Sequence, residues 1–204
     1  MGKSTSANQL LNQIPDDRPV ALMIRHGGKD EWDTALLESI GSDLNKKLKF
    51  VASSTYAHCV AQGDSIVSAT GQALSVTLND DLGNPSILIN KTSLEDAKTS
   101  WSSLGHDAIS LMLTDGKQVP GFNDPDVSSL QLLGWMLEQS KNVGNGVSLF
   151  ISHDIVILVI LARMFKMHLN QDEWPERFEG CAFWRENDKV ICRYRGITSE
   201  ASLV

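Results

Sequence analysis

Two short segments of this chain place an imidazole beside other chemically capable groups: Arg25-His26-Gly27-Gly28 and Ser152-His153-Asp154. A histidine titrates near pH ~6.5, so its neutral form is available at cellular pH as a nucleophile or a base. The arginine offers a planar fork of donors that matches phosphate oxygens. The glycine pair admits close backbone approach and unusual dihedrals. Asp154 has three roles open to it: proton donor, orienting partner, or N-cap of a following helix. Each segment alone also has a plain structural reading, as a strand end with a surface ion pair or as a capped helix start. Brought together, they would form a site able to hold and transfer a phosphoryl group.

The hydropathy pattern predicts that they do come together. Residues 20–24 form a continuous apolar run that stops at Arg25, and residues 147–151 form another that stops at Ser152. Runs apolar on both faces suit strands covered by helices on each side. Residues 50–54 read as a third such strand ending in Ser53-Ser54, and 75–78 as a further short one. Helical spacing is present over 34–48 and 58–69, and again over 155–165. Residues 94–113 predict one or two helices broken near Gly105. A helix capped by Asp126 or Ser128 is expected to run to Lys141. Residues 181–184 and 190–194 read as a hairpin turning at Asn187-Asp188. The stretch from Asp80 to Asn123 is the least regular.

Strands alternating with helices predict an α/β fold, a three-layer α/β/α sandwich with a mostly parallel central sheet. Ligands in such sheets bind beyond the carboxyl ends of the strands, where all three polar terminations fall. Residues 1–17 read as a polar lead-in with a short helix over 8–14, and 18–204 as a single domain.

Composition narrows the function. The chain has 204 residues, 42% hydrophobic and 21% charged, which is globular usage for one domain. Its 18 basic against 25 acidic residues give a net charge of −7, with no compensating basic run, so nucleic acid is not an expected partner. No apolar stretch reaches membrane-spanning length, and Met1 to Ser6 lacks the apolar core of a signal peptide. Three cysteines, Cys59, Cys181 and Cys192, cannot all pair internally, which fits a reducing, cytoplasmic compartment. Gly2-Lys3-Ser4 imitates the end of a phosphate-binding loop but lacks the preceding strand and first glycine. No metal-ligand spacing is apparent, and no cofactor motif is present.

Strand-Arg-His-Gly, then strand-Ser-Ser with a basic residue four positions after the second serine, then strand-Ser-His-helix, resembles the histidine phosphatase superfamily, with its phosphoglycerate-mutase-like fold. The resemblance runs from about Pro19 to Tyr194 and includes the tail from Trp174-Pro175 to Phe183-Trp184. It implies a phosphatase acting on a phosphorylated small molecule. His26 would be the nucleophile that becomes phosphohistidine, with Arg25, His58 and His153 holding the phosphoryl oxygens. A neutral attacking nitrogen requires the other ring nitrogen to keep its proton, on a backbone carbonyl.

Departures from the family pattern fall inside the site. Where the family places arginine, this chain has His58, within Ser53-Ser54-Thr55-Tyr56-Ala57-His58-Cys59. Imidazole has at most two donors, so dianions should bind less tightly unless Lys29 or Arg163 reaches in. The family's Thr-Ala after this helix start is Gln62-Gly63. One branch of the family takes its proton donor from mid-chain, where Asp80 and Asp81 stand and Asn84 replaces a carboxylate. The other branch uses the residue after the second histidine, which is Asp154 here. The Glu-Ser that mutases carry after Arg-His-Gly is absent, since Gly28-Lys29-Asp30 follows. A relative that binds a phosphorylated ligand or a protein without turnover is the alternative. His106 and His168 carry no motif and read as structural, Cys59 reads as a small buried residue, and Trp32 and Trp101 are candidates for substrate contact.

Overall fold

The computed structural model describes residues 7–28, 33–83, 85–166 and 174–202. The sequence readings for Lys29, Trp32, Asn84 and His168 lie outside the described residues.

Strand β1 (Pro19–Arg25) is the centre of the molecule, and every residue from Val20 to Ile24 is at most 1% exposed. Side chains alternate across a strand. Val20, Leu22 and Ile24 therefore enter one core, while Ala21 and Met23 enter another. The first core is closed by helices α1 (Ala7–Leu11), α2 (Thr34–Leu44) and α3 (Ala57–Thr70). The second is closed by α6 (Pro125–Val143) and α7 (Asp154–Phe165). These are the three layers that the apolar runs predict. Helix α1 is short but firmly seated, with Ala7 and Leu10 fully buried in the first core.

The sheet has seven strands: β1, β2 (Leu48–Ser53), β3 (Val76–Leu78), β4 (Gly146–Ser152), β5 (Gly180–Glu186), β6 (Lys189–Tyr194) and β7 (Ile197–Ala201). Their order is β3-β2-β4-β1-β5-β6-β7. The half from β3 to β1 is parallel, and β5, β6 and β7 join by antiparallel pairing. Registers Arg25↔Ser152 and Ser53↔Ile151 bring the carboxyl ends of β1, β4 and β2 level.

A third apolar cluster lies outside the sandwich. Helices α4 (Leu94–Leu104) and α5 (Asp107–Asp115) pack with Leu88, Val119 and Phe122 on Leu158 and Val159 of α7. Helix α7 is apolar all round because it is buried on both sides.

The structure departs from the sequence reading at several places, and α1 ends at Leu11 rather than at residue 14. Leu48 belongs to β2, because Asn45 caps α2 and Lys46 turns with φ 65°. The cap of α6 is Asp124, whose carboxylate accepts from Val127 N–H at 3.0 Å, with Pro125 at the first helical position, so neither Asp126 nor Ser128 serves. Strand β7, mostly exposed, lacks the apolar content that would mark it in sequence.

Candidate active site

Beyond Arg25 the ladder continues for one more step: His26 N–H donates to the Ser152 carbonyl at 2.9 Å, and Ser54 N–H to the Ile151 carbonyl at 3.1 Å. These bonds carry the chain ends of β1, β4 and β2 to one place. The His26 ring lies 4.6 Å from the His153 ring and 4.6 Å from the His58 ring, centroid to centroid. The sequence reading of convergent imidazoles therefore corresponds to a physical cluster, and His58 belongs to it from the first turn of α3.

His153 is fixed from two sides. Its Nε2 is 3.0 Å from Ser54 Oγ and 3.9 Å from Cys59 Sγ. Gly83 lies against its ring so closely that a Cβ there would fall 2.1 Å from His153 Cδ2. Gly27 is constrained in the same way, since a Cβ would lie 1.9 Å from the Phe178 ring.

Arg25 is fully engaged at its tip. Its Nη1 donates to the Pro175 carbonyl at 2.6 Å, and its Nη2 meets Asp154 at 2.8 Å. Its Nε is buried without a hydrogen-bond partner, a donor left for a ligand oxygen. Asp154 accepts from Ile155 N–H through its other oxygen at 2.8 Å. The orienting role and part of the helix-start role are thus combined in one carboxylate.

Burial pushes the His26 imidazole down to about 3, and repulsion from His153, His58 and Arg25 adds to this, with Asp154 pulling the other way. Burial likewise lowers His153 to about 4, with His58 and Arg25 contributing. Both rings are neutral at cellular pH, as a nucleophile must be. Cys59, raised to about 11 by burial, stays a thiol, in keeping with its reading as a small buried residue.

The proton on His26 is placed differently from the sequence expectation. Gly28 N–H donates to His26 Nδ1 at 2.9 Å. A neutral ring whose Nδ1 accepts carries its hydrogen on Nε2. Attack through Nε2 then requires that proton to leave and Nδ1 to gain one. Gln62, buried on α3, grips both sides of this turn: its Oε1 accepts from Gly27 N–H at 3.0 Å, and its Nε2 donates to the Gly28 carbonyl at 3.4 Å. The peptide between those two grips joins two glycines, and Gly28 stands at φ 97°, where only glycine rotates freely. Gln62 entered the sequence reading only as a departure from the family pattern, and its grip could not be foreseen without the turn.

Several candidates fall elsewhere. Arg163 pairs with Asp126 at 3.2 Å and sits about 13 Å along α7 from Asp154, so it does not supplement His58. Asp81 is held by Lys91 at 3.1 Å, and the residues that this segment contributes to the cavity are Gly83, Pro85 and Ser86. Asp154 is the single carboxylate lining the cavity among the described residues. Trp101 lines the cavity, as does His106, which contacts Trp101 at 5.3 Å and Trp174 at 4.6 Å. The donor atoms of His26, His58 and Cys59 lie within 4.8 Å of one another, a juxtaposition that sequence spacing does not reveal.

The segment supplying the Pro175 carbonyl lies in the tail over residues 174–184, and its brace is not evident from sequence. Arg195 makes a two-pronged pair with Glu179 at 2.7 and 2.9 Å and donates to the Trp174 carbonyl at 3.1 Å. Glu179 also accepts from Glu176 N–H, at 2.8 Å. Nothing near Arg195 in the sequence signals a partner sixteen residues away.

No protein-family model and no curated protein sequence matches the chain. Solved structures do. A mycobacterial glucosyl-3-phosphoglycerate phosphatase aligns at TM-score 0.54 and 15% identity, covering 90% of this chain and 96% of its own. The chain has the phosphoglycerate-mutase-like fold. The same phosphatase with VO3 aligns at TM-score 0.52 and 15% identity over 91% of this chain and 98% of its own. A protein described as mycobacterial hydrolase 1 aligns at TM-score 0.52 and 14% identity, over 92% and 97%. In this phosphoglycerate-mutase-like fold the histidine cluster lies beyond the carboxyl ends of the parallel strands, as α/β sheets require of a ligand site. No helix among the described residues is long and apolar enough to cross a membrane.

Proposed function

We propose that the chain is a phosphomonoesterase that hydrolyses a phosphorylated small molecule through a phosphohistidine on His26. The observation that supports it is the meeting of His26, His58 and His153 at one cavity, with Arg25 and Asp154 paired beside them. In the first step His26 Nε2, with the ring proton moved to Nδ1, attacks phosphorus. The P–O bond to the alcohol breaks, and the leaving oxygen takes a proton from Asp154, which enters this step protonated and released from its ion pair with Arg25. In the second step water attacks the phosphohistidine and gives its proton to the Asp154 carboxylate. The P–N bond breaks and phosphate departs. His58, His153 and the Nε–H of Arg25 hold the equatorial oxygens during both transfers. The residues need no cofactor for this chemistry. Net charge −7 argues against a nucleic-acid partner, and three buried free cysteines suit a cytoplasmic location.

The test is a panel of phosphate esters with the His26→Ala protein beside the wild type, and acid and alkaline quenching of the wild-type reaction. Phosphohistidine survives alkali and is lost in acid. Loss of turnover in the variant together with an alkali-stable phosphoenzyme is expected. Full turnover in His26→Ala would remove His26 as nucleophile. A second reading, a phosphoester-binding protein without turnover, is favoured by the Gly28 N–H bond to Nδ1 and by histidine at position 58. Tight ester binding with no trapped phosphoenzyme would establish it.

A further inference from the structure

We propose that the alcohol half of the ester is apolar and at least one ring in size, an aryl or hydrophobic alkyl group rather than a sugar or a hydroxy acid. This rests on the phosphomonoesterase reading and names the substrate class of the same site.

The cavity that begins at His26, His58 and His153 extends to about 720 Å³, within the range that accepts drug-sized ligands. A phosphoryl group occupies only its base. Above it the walls are Ile89, Leu94, Trp101, Phe122 and Ile155, with the Tyr56 ring at one side. Trp101 and Leu94 remain 38% and 42% exposed there, an apolar surface that a bound group would cover.

Among the described residues, the polar side chains on these walls are few beside the apolar ones: Tyr56, Ser86, Lys98 and His106, with Asp154 at the base. The hydroxyl of Ser86 already accepts from Leu88 N–H at 3.3 Å. Lys98 is 70% exposed and held by Glu95 at 2.6 Å. Asp154 serves the leaving oxygen and Arg25, so it is not spare for a sugar hydroxyl. A sugar lowered into this space would leave several hydroxyls without partners, and each unmatched hydroxyl is strongly penalised. Among the described residues, the one cation on these walls for a hydroxy-acid carboxylate is Lys98, already held by Glu95. An aromatic ring instead finds edges and faces of the same kind.

The base of the cavity points the same way. Neutral rings at His26 and His153, with His58 beside them and Arg25 bound to a carboxylate, grip a dianion less tightly than a cluster of cations would. Binding must then draw on the remainder of the substrate, and this remainder lies against hydrocarbon.

The experiment compares kcat/KM for 1-naphthyl phosphate, methyl phosphate, glucose 6-phosphate and 3-phosphoglycerate, in the wild type and in Trp101→Ala. Leu94→Gln serves as a second variant should the first fail to fold. The expected result is at least a 100-fold preference for the naphthyl ester over the sugar and acid esters. The naphthyl-to-methyl ratio should fall about tenfold in either variant. Hydrolysis of glucose 6-phosphate or 3-phosphoglycerate as fast as the naphthyl ester overturns the inference and leaves the phosphatase reading standing. If no ester is hydrolysed, the phosphatase reading fails, and calorimetric titration with naphthylmethylphosphonate against methylphosphonate decides the pocket. Tighter binding of the naphthyl compound, weakened in Trp101→Ala or Leu94→Gln, supports it; equal binding of the two overturns it.

Discussion

The base and the walls of the cavity are held by different interactions. At the base, Arg25, His26, Ser54, Ser152 and His153 are the last residues of a hydrogen-bonded sheet, so backbone ladders set their positions. The walls come from α4, from Pro85, Ser86, Ile89, His106 and Phe122, and from Ile155 at the start of α7, backed by an apolar cluster of Leu88, Ala108, Ile109 and Leu158. Backbone ladders fix a side chain's origin to within a fraction of an ångström. Apolar packing fixes volume and leaves identity open, because hydrophobic swaps of similar size are tolerated. A fold of this kind can keep its chemistry at the sheet and vary its substrate at the helices. The two regions should therefore respond separately to mutation.

The largest effect is expected below the base, at the Glu179–Arg195 pair. Both side chains are nearly inaccessible, at 1% and 6% exposure. Glu179→Gln leaves a buried guanidinium uncompensated, a change that costs about 3–5 kcal/mol. It also loosens residues 174–179, which carry the Pro175 carbonyl to Arg25. Urea unfolding should show the loss as a lower midpoint with the slope unchanged. A midpoint within experimental error of the wild type would mean that the base does not depend on this brace.

Gly83 lies at the seam of the two regions and is the next largest. Gly83→Ala puts a methyl 2.1 Å from the His153 ring and 3.0 Å from Ser54 Cβ. The methyl and the ring cannot share that space, so the substitution displaces His153. A displacement of about 1 Å in such a group costs roughly 100-fold in rate. The expected result is a fall of that order in kcat with little change in melting temperature. Unchanged kcat would separate His153 from the chemistry.

The same division explains what could be read from sequence. The base was legible because its elements are continuous apolar runs that end abruptly in polar residues, and parallel topology forces such ends together. His58 was legible as well, by its place in Ser-Ser-x-x-x-His. The walls were not, because residues 83–122 bury only part of each helix and their contacts are long-range. Helix α4 buries just Ala97 and Ser100, so its pattern is faint. Gln62 and Arg195 went unread for another reason. Both act through hydrogen bonds to backbone or to a distant carboxylate, and a hydrogen bond leaves no periodicity in a sequence. The tautomer of His26 was inferred with the wrong polarity, because the peptide orientation at Gly28 is a dihedral and not a residue type.

His58→Arg sharpens the contrast by moving binding from the walls to the base. Arginine adds a permanently charged donor fork beside His26. One added charge-assisted contact corresponds to about tenfold in affinity. Calorimetric titration with inorganic phosphate should show that gain, and the preference for apolar esters should narrow, since less of the affinity then comes from hydrocarbon. Unchanged phosphate affinity would place the side chain at position 58 out of reach of the anion.

The smallest effect is a pH dependence confined to the base. His26 and His153 stay neutral in the fold down to about 3 and 4, facing Arg25, His58, Asp154, Ser54 and Cys59. In the unfolded chain both take up protons near pH ~6.5. Above that value neither state binds a proton there, and the contribution of these rings to stability is fully present. As pH falls from about 6.5 the unfolded chain gains protons that the fold refuses, so stability declines, until the folded rings protonate in turn. The decline between pH ~6.5 and ~5 is the informative part, because most carboxylates have not yet begun to titrate. His153→Gln should show a shallower decline there than the wild type, and saturating phosphate should flatten the wild-type curve, since a bound dianion favours the protonated rings. Parallel curves for wild type and His153→Gln would mean that the His153 ring titrates alike in the folded and the unfolded chain, so that burial does not hold it neutral.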